Sequence, residues 1–183
     1  MQRDAVTTMI DEWARERPDL DASPVAIIGR LSRIAQHVTG ELVALYRRFG
    51  LSEGEFDIIA TLRRTGAPHA LAPSALAGAT MVTKGAVSKR LDSLEAKGLV
   101  ERAADALDGR GRVVRLTDAG LQLIDEAMPA HLENERRILA PLSERDRREL
   151  ERILRAWALH VEGAAAAAAA PSAVSRERDG EDR

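Results

Sequence analysis

The sequence contains no cysteine among its 183 residues. That excludes a disulfide framework, a thiolate metal site and a sulfur-based redox sensor together. Aromatic residues make up only 3%. A core must therefore be built from Leu, Ile, Val and Ala, a palette that suits packed helices better than a β-sandwich. Long apolar runs are missing too. The longest, at 164–170, is an alanine stretch far too short to span a bilayer, and the opening MQRDAVTTMIDEW lacks the basic start and apolar run of a signal peptide. A cytoplasmic protein is expected.

Catalytic signatures are equally scarce. There is no G-x-S-x-G elbow and no P-loop, and GRGRVV carries Val114 where the third glycine of a dinucleotide fingerprint belongs. His37, His69, His131 and His160 stand apart, without the i,i+4 pairs or nearby acids of a zinc site. Each is expected to be a surface or packing histidine. No enzyme, metal or cofactor is expected.

What is present is an ordinary globular composition, 45% hydrophobic and 31% charged, with a formal charge of −2. The average conceals its distribution. Between Thr83 and Arg115 eight basic residues face five acidic ones, so that stretch is +3 and the remainder −5. Local sign governs binding more than the total, and a basic segment in an acidic chain points to a nucleic-acid partner.

The spacing predicts a mainly helical chain. Val6, Ile10 and Trp13 mark a short N-terminal helix within 1–18, ended by Pro18. Ser23 as cap and Pro24 as first helical residue open a long helix over 23–50, with Val25, Ile28, Leu31, Ile34, Val38, Leu42 and Leu45 on one stripe. Ser52 and Glu55 form the capping box of a third helix that stops at Gly66. A short helix from Pro73, a three-residue connection MVT and a helix over 84–97 closed by Gly98 make a helix-turn-helix. Two β-rich pieces at 99–103 and 112–116 then flank a charged tip with Gly109, Arg110 and Gly111, which reads as a hairpin. Thr117 and Asp118 start a long helix interrupted by Pro141, and Ser143 opens a last one with Leu150, Ile153, Leu154, Trp157 and Val161. The alanine-rich tail over 164–183 has no core-forming pattern and is expected to be disordered, its alanines extending the helix a little at most. The order of elements is that of a winged helix-turn-helix lobe over 51–116, with 23–50 and 117–163 left over as dimerisation helices.

On the helix over 84–97, Val87, Leu91 and Leu94 share one face, while Gly85, Lys89, Asp92 and Ala96 point the opposite way. The first set packs and the second is free to enter a major groove, where Thr83, Lys84, Ser88 and Lys89 offer donors to phosphates and base edges. Arg110 on the hairpin tip is placed to insert into an adjacent minor groove, and Arg112 beside it is a further DNA-binding candidate. A helical interaction module that keeps the fold without binding DNA is the competing reading, and the basic stretch favours DNA.

The segment SALAGATMVTKGAVSKRLDSLEAKGLVERAADALDGRGRVVRLTDAG resembles the DNA-binding core of MarR-type transcriptional regulators. The resemblance rests on LEAKGLVER (94–102), Asp108 with Arg110, and Leu116, Thr117 and Gly120, and it runs over 23–161. It implies a homodimer with interleaved terminal helices, paired recognition helices on a pseudo-palindromic operator, and a small ligand that lowers DNA affinity. A narrower likeness, carried by DEWARERPDLD, EFDIIATLRR and SKRLDSL, is to the urate-responsive branch with an extra N-terminal helix. That likeness implies a ligand site at Trp13, Asp57, Arg90 and Arg102. Two arginines suit any planar or carboxylate anion, so urate or a related purine stands beside a carboxylate metabolite or a phenolic compound. The residues by themselves equally allow an ion pair of Asp57 with Arg90 or Arg102, and Trp13 as a packing anchor.

Overall fold

A computed structural model of the chain describes residues 3–80, 84–104 and 112–169, of which 84–86 and 165–169 by backbone alone. Its elements run α1 (Ala5–Glu16), α2 (Val25–Arg48), α3 (Glu53–Arg64), β1 (Ala70–Leu71), α4 (Pro73–Ala79), α5 (Lys84–Ala96), β2 (Val100–Ala104), β3 (Arg112–Leu116), α6 (Asp118–Leu139) and α7 (Glu144–Ala169). They form two compact units, residues 1–138 and 139–183.

The first unit contains the core. Ile58, Ile59 and Leu62 of α3, Leu76 of α4, Leu94 of α5, Val114 of β3 and Ile124 of α6 are each fully enclosed. Burying such a side chain stabilises the fold by roughly 1.5–3 kcal/mol, and one cluster unites the helix-turn-helix, the strands and α6. The aliphatic core expected from the lack of aromatics is present, with one exception: Tyr46 of α2 stacks on Phe56 of α3 at 4.1 Å between ring centres.

The strands form a sheet in the order β1-β3-β2, antiparallel throughout. The hairpin reading identified β2 and β3 but missed β1. A two-residue strand has no periodicity to detect; it exists because β3 offers its free edge, pairing Arg115 with Ala70 and Val114 with Leu71. Along β3, Val114 and Leu116 turn into the core while Arg115 between them faces out, the two-residue alternation of a half-buried strand, and Arg112 is exposed where the strand begins.

Helix ends follow local chemistry, with one correction. The Ser52–Glu55 capping box is formed in both directions. Gly98 has φ +69°, and the Leu99 and Gly98 N–H groups return to the Leu94 and Glu95 carbonyls, the left-handed closure that favours glycine after a helix. Ser23, however, does not cap α2. Its hydroxyl donates to Asp21 at 3.0 Å, and Pro24 occupies the cap position without a side-chain acceptor. Asp21 accepts from both the Ser23 N–H and the Ser23 hydroxyl, a local turn that holds this side chain toward Asp21 and away from the first turn of α2.

The helix α1 is tied to α2. Val6 is buried, Gly29 lies beneath it, and Arg30 of α2 donates to both carboxylate oxygens of Asp4, the N-cap of α1. In the second unit, α7 continues to Ala169, through the start of the alanine run, as the high helix propensity of alanine allows.

Candidate nucleic-acid interface and ligand residues

Residues 81–83, between α4 and α5, and 105–111, between β2 and β3, lie outside the described residues, and with them Thr83, Asp108 and Arg110. Lys84 begins α5, but its side chain is likewise outside them. Ser88 and Lys89 are exposed on α5, and Arg112 is exposed at the start of β3. Val87, Leu91 and Leu94 are buried on the opposite side. The helix therefore presents Ser88, Lys89, Asp92 and Ala96 outward, and packs with the face that its sequence marks as apolar.

What holds α5 in place is a buried carboxylate. Glu55, in the first turn of α3, is 4% exposed. Its Oε2 accepts from the Ser52 N–H at 2.7 Å, and its Oε1 accepts from the Ser93 hydroxyl and the Lys97 ammonium, each at 2.7 Å. Lys97 also donates to the Gly50 carbonyl at 2.9 Å. Burial pushes the Glu55 carboxyl up, and Lys97 with the serine donors more than reverses this, holding it down to about 2. One capping residue thus also fixes the C-terminal half of α5 against α3.

The four candidate ligand residues occupy three settings. Arg90 leaves the exposed face of α5 and lies across the first turn of α3: a Cβ on Gly54 would fall 2.2 Å from its Nε. Asp57 is half-buried one turn further along α3. Burial, then the carboxylates of Glu135, Glu53 and Asp57, push the Tyr46 hydroxyl up to about 12, which locates Asp57 in the field of the α2–α3 contact. Arg102, on β2, pairs with Asp92 at 2.5 Å and with Glu95, both on α5. Trp13 is 48% exposed on α1 of the single chain. Arg102 does have carboxylate partners, and they are on the recognition helix.

A sequence model of the MarR family matches residues 49–111. The HTH-type transcriptional regulator PecS of Dickeya dadantii is 41% identical over 149 residues, covering 81% of this chain and 90% of PecS. The chain belongs to the MarR family. AbsC, a MarR family regulator from Streptomyces coelicolor, matches with a TM-score of 0.71 and 27% identity, over 79% of this chain and 97% of AbsC. Sco3205 of the same organism, solved in complex with DNA, shares the fold with a TM-score of 0.68 and 23% identity, over 76% of this chain and 88% of its own. This MarR-type protein is accordingly a DNA-binding transcriptional regulator and not an enzyme. Among the described residues no group of His, Asp and Glu is placed to hold a metal ion, and no helix is long and apolar enough to cross a membrane.

The MarR-type motif L-T-x-x-G acquires a physical meaning. The Thr117 hydroxyl donates to the Gly98 carbonyl at 2.7 Å and accepts from the Gly120 N–H at 3.0 Å. It joins the end of α5 to the start of α6, and Gly120 is required because a Cβ there would lie 2.0 Å from the Leu99 carbonyl oxygen. What the sequence analysis did not assign is the set of partners around His131. It stacks against Phe56 and Tyr46, its Nδ1 lies 3.1 Å from the Tyr46 hydroxyl, and its Nε2 lies 3.2 Å from Glu135. Glu135 is its i+4 neighbour, so the acid denied to this histidine was visible in the sequence. The packing role expected for His131 is nevertheless the one it has.

Proposed function

We propose that this regulator is a dimeric repressor that leaves a pseudo-palindromic operator when a small anion, urate or a related purine, binds at Arg90, Arg102, Asp57 and Trp13. The observation that carries the reading is the placement of Arg90. Its guanidinium stem lies over the Gly54 backbone in the first turn of α3, one turn from Asp57, so one arginine couples the recognition helix to α3. An anion drawn to Arg90 brings negative charge toward Asp57. The repulsion acts between the two helices whose spacing sets the position of α5. Such a ligand attenuates DNA binding only by preferring the spacing that does not fit DNA, and operator DNA must then weaken ligand binding by the same factor.

The test titrates urate, xanthine, citrate and salicylate into the DNA-bound protein, following DNA release and Trp13 fluorescence in a Trp157→Phe background. Release by urate or xanthine supports the purine reading, and release only by citrate or salicylate moves the site to carboxylate or phenolic ligands. Arg90→Ala should abolish the response while the protein stays folded. Gly54→Ala should abolish it too, because the new methyl displaces the Arg90 side chain without altering charge. Response unchanged in both variants, or no binding of any of the four anions, overturns the assignment.

A further inference from the structure

Among the described side chains, the outward face of α5 carries more negative than positive charge before any other element is considered. Among its described side chains, Arg90 turns to α3 and Lys97 turns to Glu55. What remains outward is Ser88, Lys89, Asp92 and Glu95, one positive charge against two negative ones. Asp92 is only three residues beyond Lys89, about 4.5 Å along the axis. That is within the Debye length of about 8 Å at physiological salt, so its charge is felt by any phosphate that Lys89 reaches. Left uncompensated, these two carboxylates oppose any phosphate that Lys89 reaches.

Arg102 changes the sign. Its guanidinium reaches from β2 to the two carboxylates, one on each nitrogen. The three side chains keep substantial exposure, 30% for Arg102, 66% for Asp92 and 40% for Glu95. Exposed ion pairs add little to stability, and the fold already has Glu55 and an apolar core to hold α5. We infer that Arg102 is a positioning residue for DNA binding that acts through Asp92 and Glu95: it neutralises the carboxylates on the DNA-facing side of the recognition helix, leaving Lys89 and Arg112, among the described side chains, as the net charge that phosphates meet. The inference rests on DNA binding, and its test is run without added anion, because the ligand proposed above would compete with Asp92 and Glu95 for the Arg102 guanidinium.

The test is a charge cycle on duplex DNA selected from a random library by the wild-type protein, read by fluorescence anisotropy at several salt concentrations. Arg102→Ala is expected to weaken binding about tenfold or more, because two uncompensated carboxylates then face phosphates. Asp92→Asn with Glu95→Gln is expected to bind at least as tightly as wild type. Combining all three substitutions should return affinity to within about threefold of that double variant, a rescue that local misfolding of β2 would not permit. Two results overturn the inference. If Arg102→Ala costs the same factor in both backgrounds and lowers the salt slope by about one, Arg102 contacts a phosphate itself. If the double variant is as weak as Arg102→Ala, the pairs serve as a geometric brace between β2 and α5 and not as charge compensation.

Discussion

Glu55 does two jobs, and only one is local. Its role as the N3 member of a capping box is written in S-x-x-E, while its bonds to Ser93 and Lys97 cross 38 and 42 residues and become visible only when α3 meets α5. Because the folded carboxyl lies below the usual 4.5, its contribution is complete above that pH and is lost as pH falls toward 2. Glu55→Gln should cost about 2 kcal/mol at pH 7. In urea titrations the gap between variant and wild type should close between pH 4.5 and 2; a gap that stays constant would assign the loss to packing. Arg102 shows the complementary limit of reading residues one by one. Its type and position were legible, and so was the acidic character of Asp92 and Glu95, but no spacing rule relates a strand to the helix before it. The fork to both carboxylates is a consequence of where the wing folds back.

At the scale of elements, the helices with strong periodicity and caps were legible, and so were α5, Gly98 and the two strands of the hairpin. The misses share one cause: each depends on a partner outside the element. The strand β1 is defined by the edge of β3, and Ser23 is diverted from its cap by Asp21. The start of α6 is the reverse case, where a short motif encodes a tertiary joint. Thr117 bridges Gly98 and Gly120, and the Leu99 carbonyl occupies the place of a Cβ on Gly120. Gly120→Ala must push backbone against backbone, since no flexible side chain can yield there. It should cost about 1–3 kcal/mol, read as a lowered midpoint in chemical unfolding with an unchanged slope. A variant as stable as wild type would mean that α6 can tilt away from Leu99 freely. Gly54→Ala, by contrast, meets only the movable end of Arg90 and should leave stability nearly intact.

For the whole molecule the unsolved account is apolar surface. On α2, Ile27, Ile28, Leu31 and Ile34 are 64, 50, 39 and 60% exposed. In the second unit, Leu150, Ile153, Leu154, Trp157 and Val161 of α7 are 38–54% exposed, and Leu139, Leu150, Leu154 and Ala158 line an open groove of about 510 Å³. Patches of this extent are rare on soluble monomers and usual at interfaces. The stripes read from the sequence as amphipathic are thus present in the structure, but a single chain leaves them uncovered. A second copy of the chain covers them most economically, because a two-fold axis buries one patch on both partners at once. Sedimentation should therefore show a dimer at micromolar concentration. Leu154→Glu should shift it to monomer while leaving the helical circular dichroism in place, since this side chain is 42% exposed and outside the core cluster. The monomer should bind selected duplex no better than non-specific DNA, about 10⁻⁴–10⁻⁶ M at physiological salt, because two half-sites are no longer read together. A wild-type monomer, or a monomeric variant that keeps full affinity, would show that one recognition helix with its wing is sufficient.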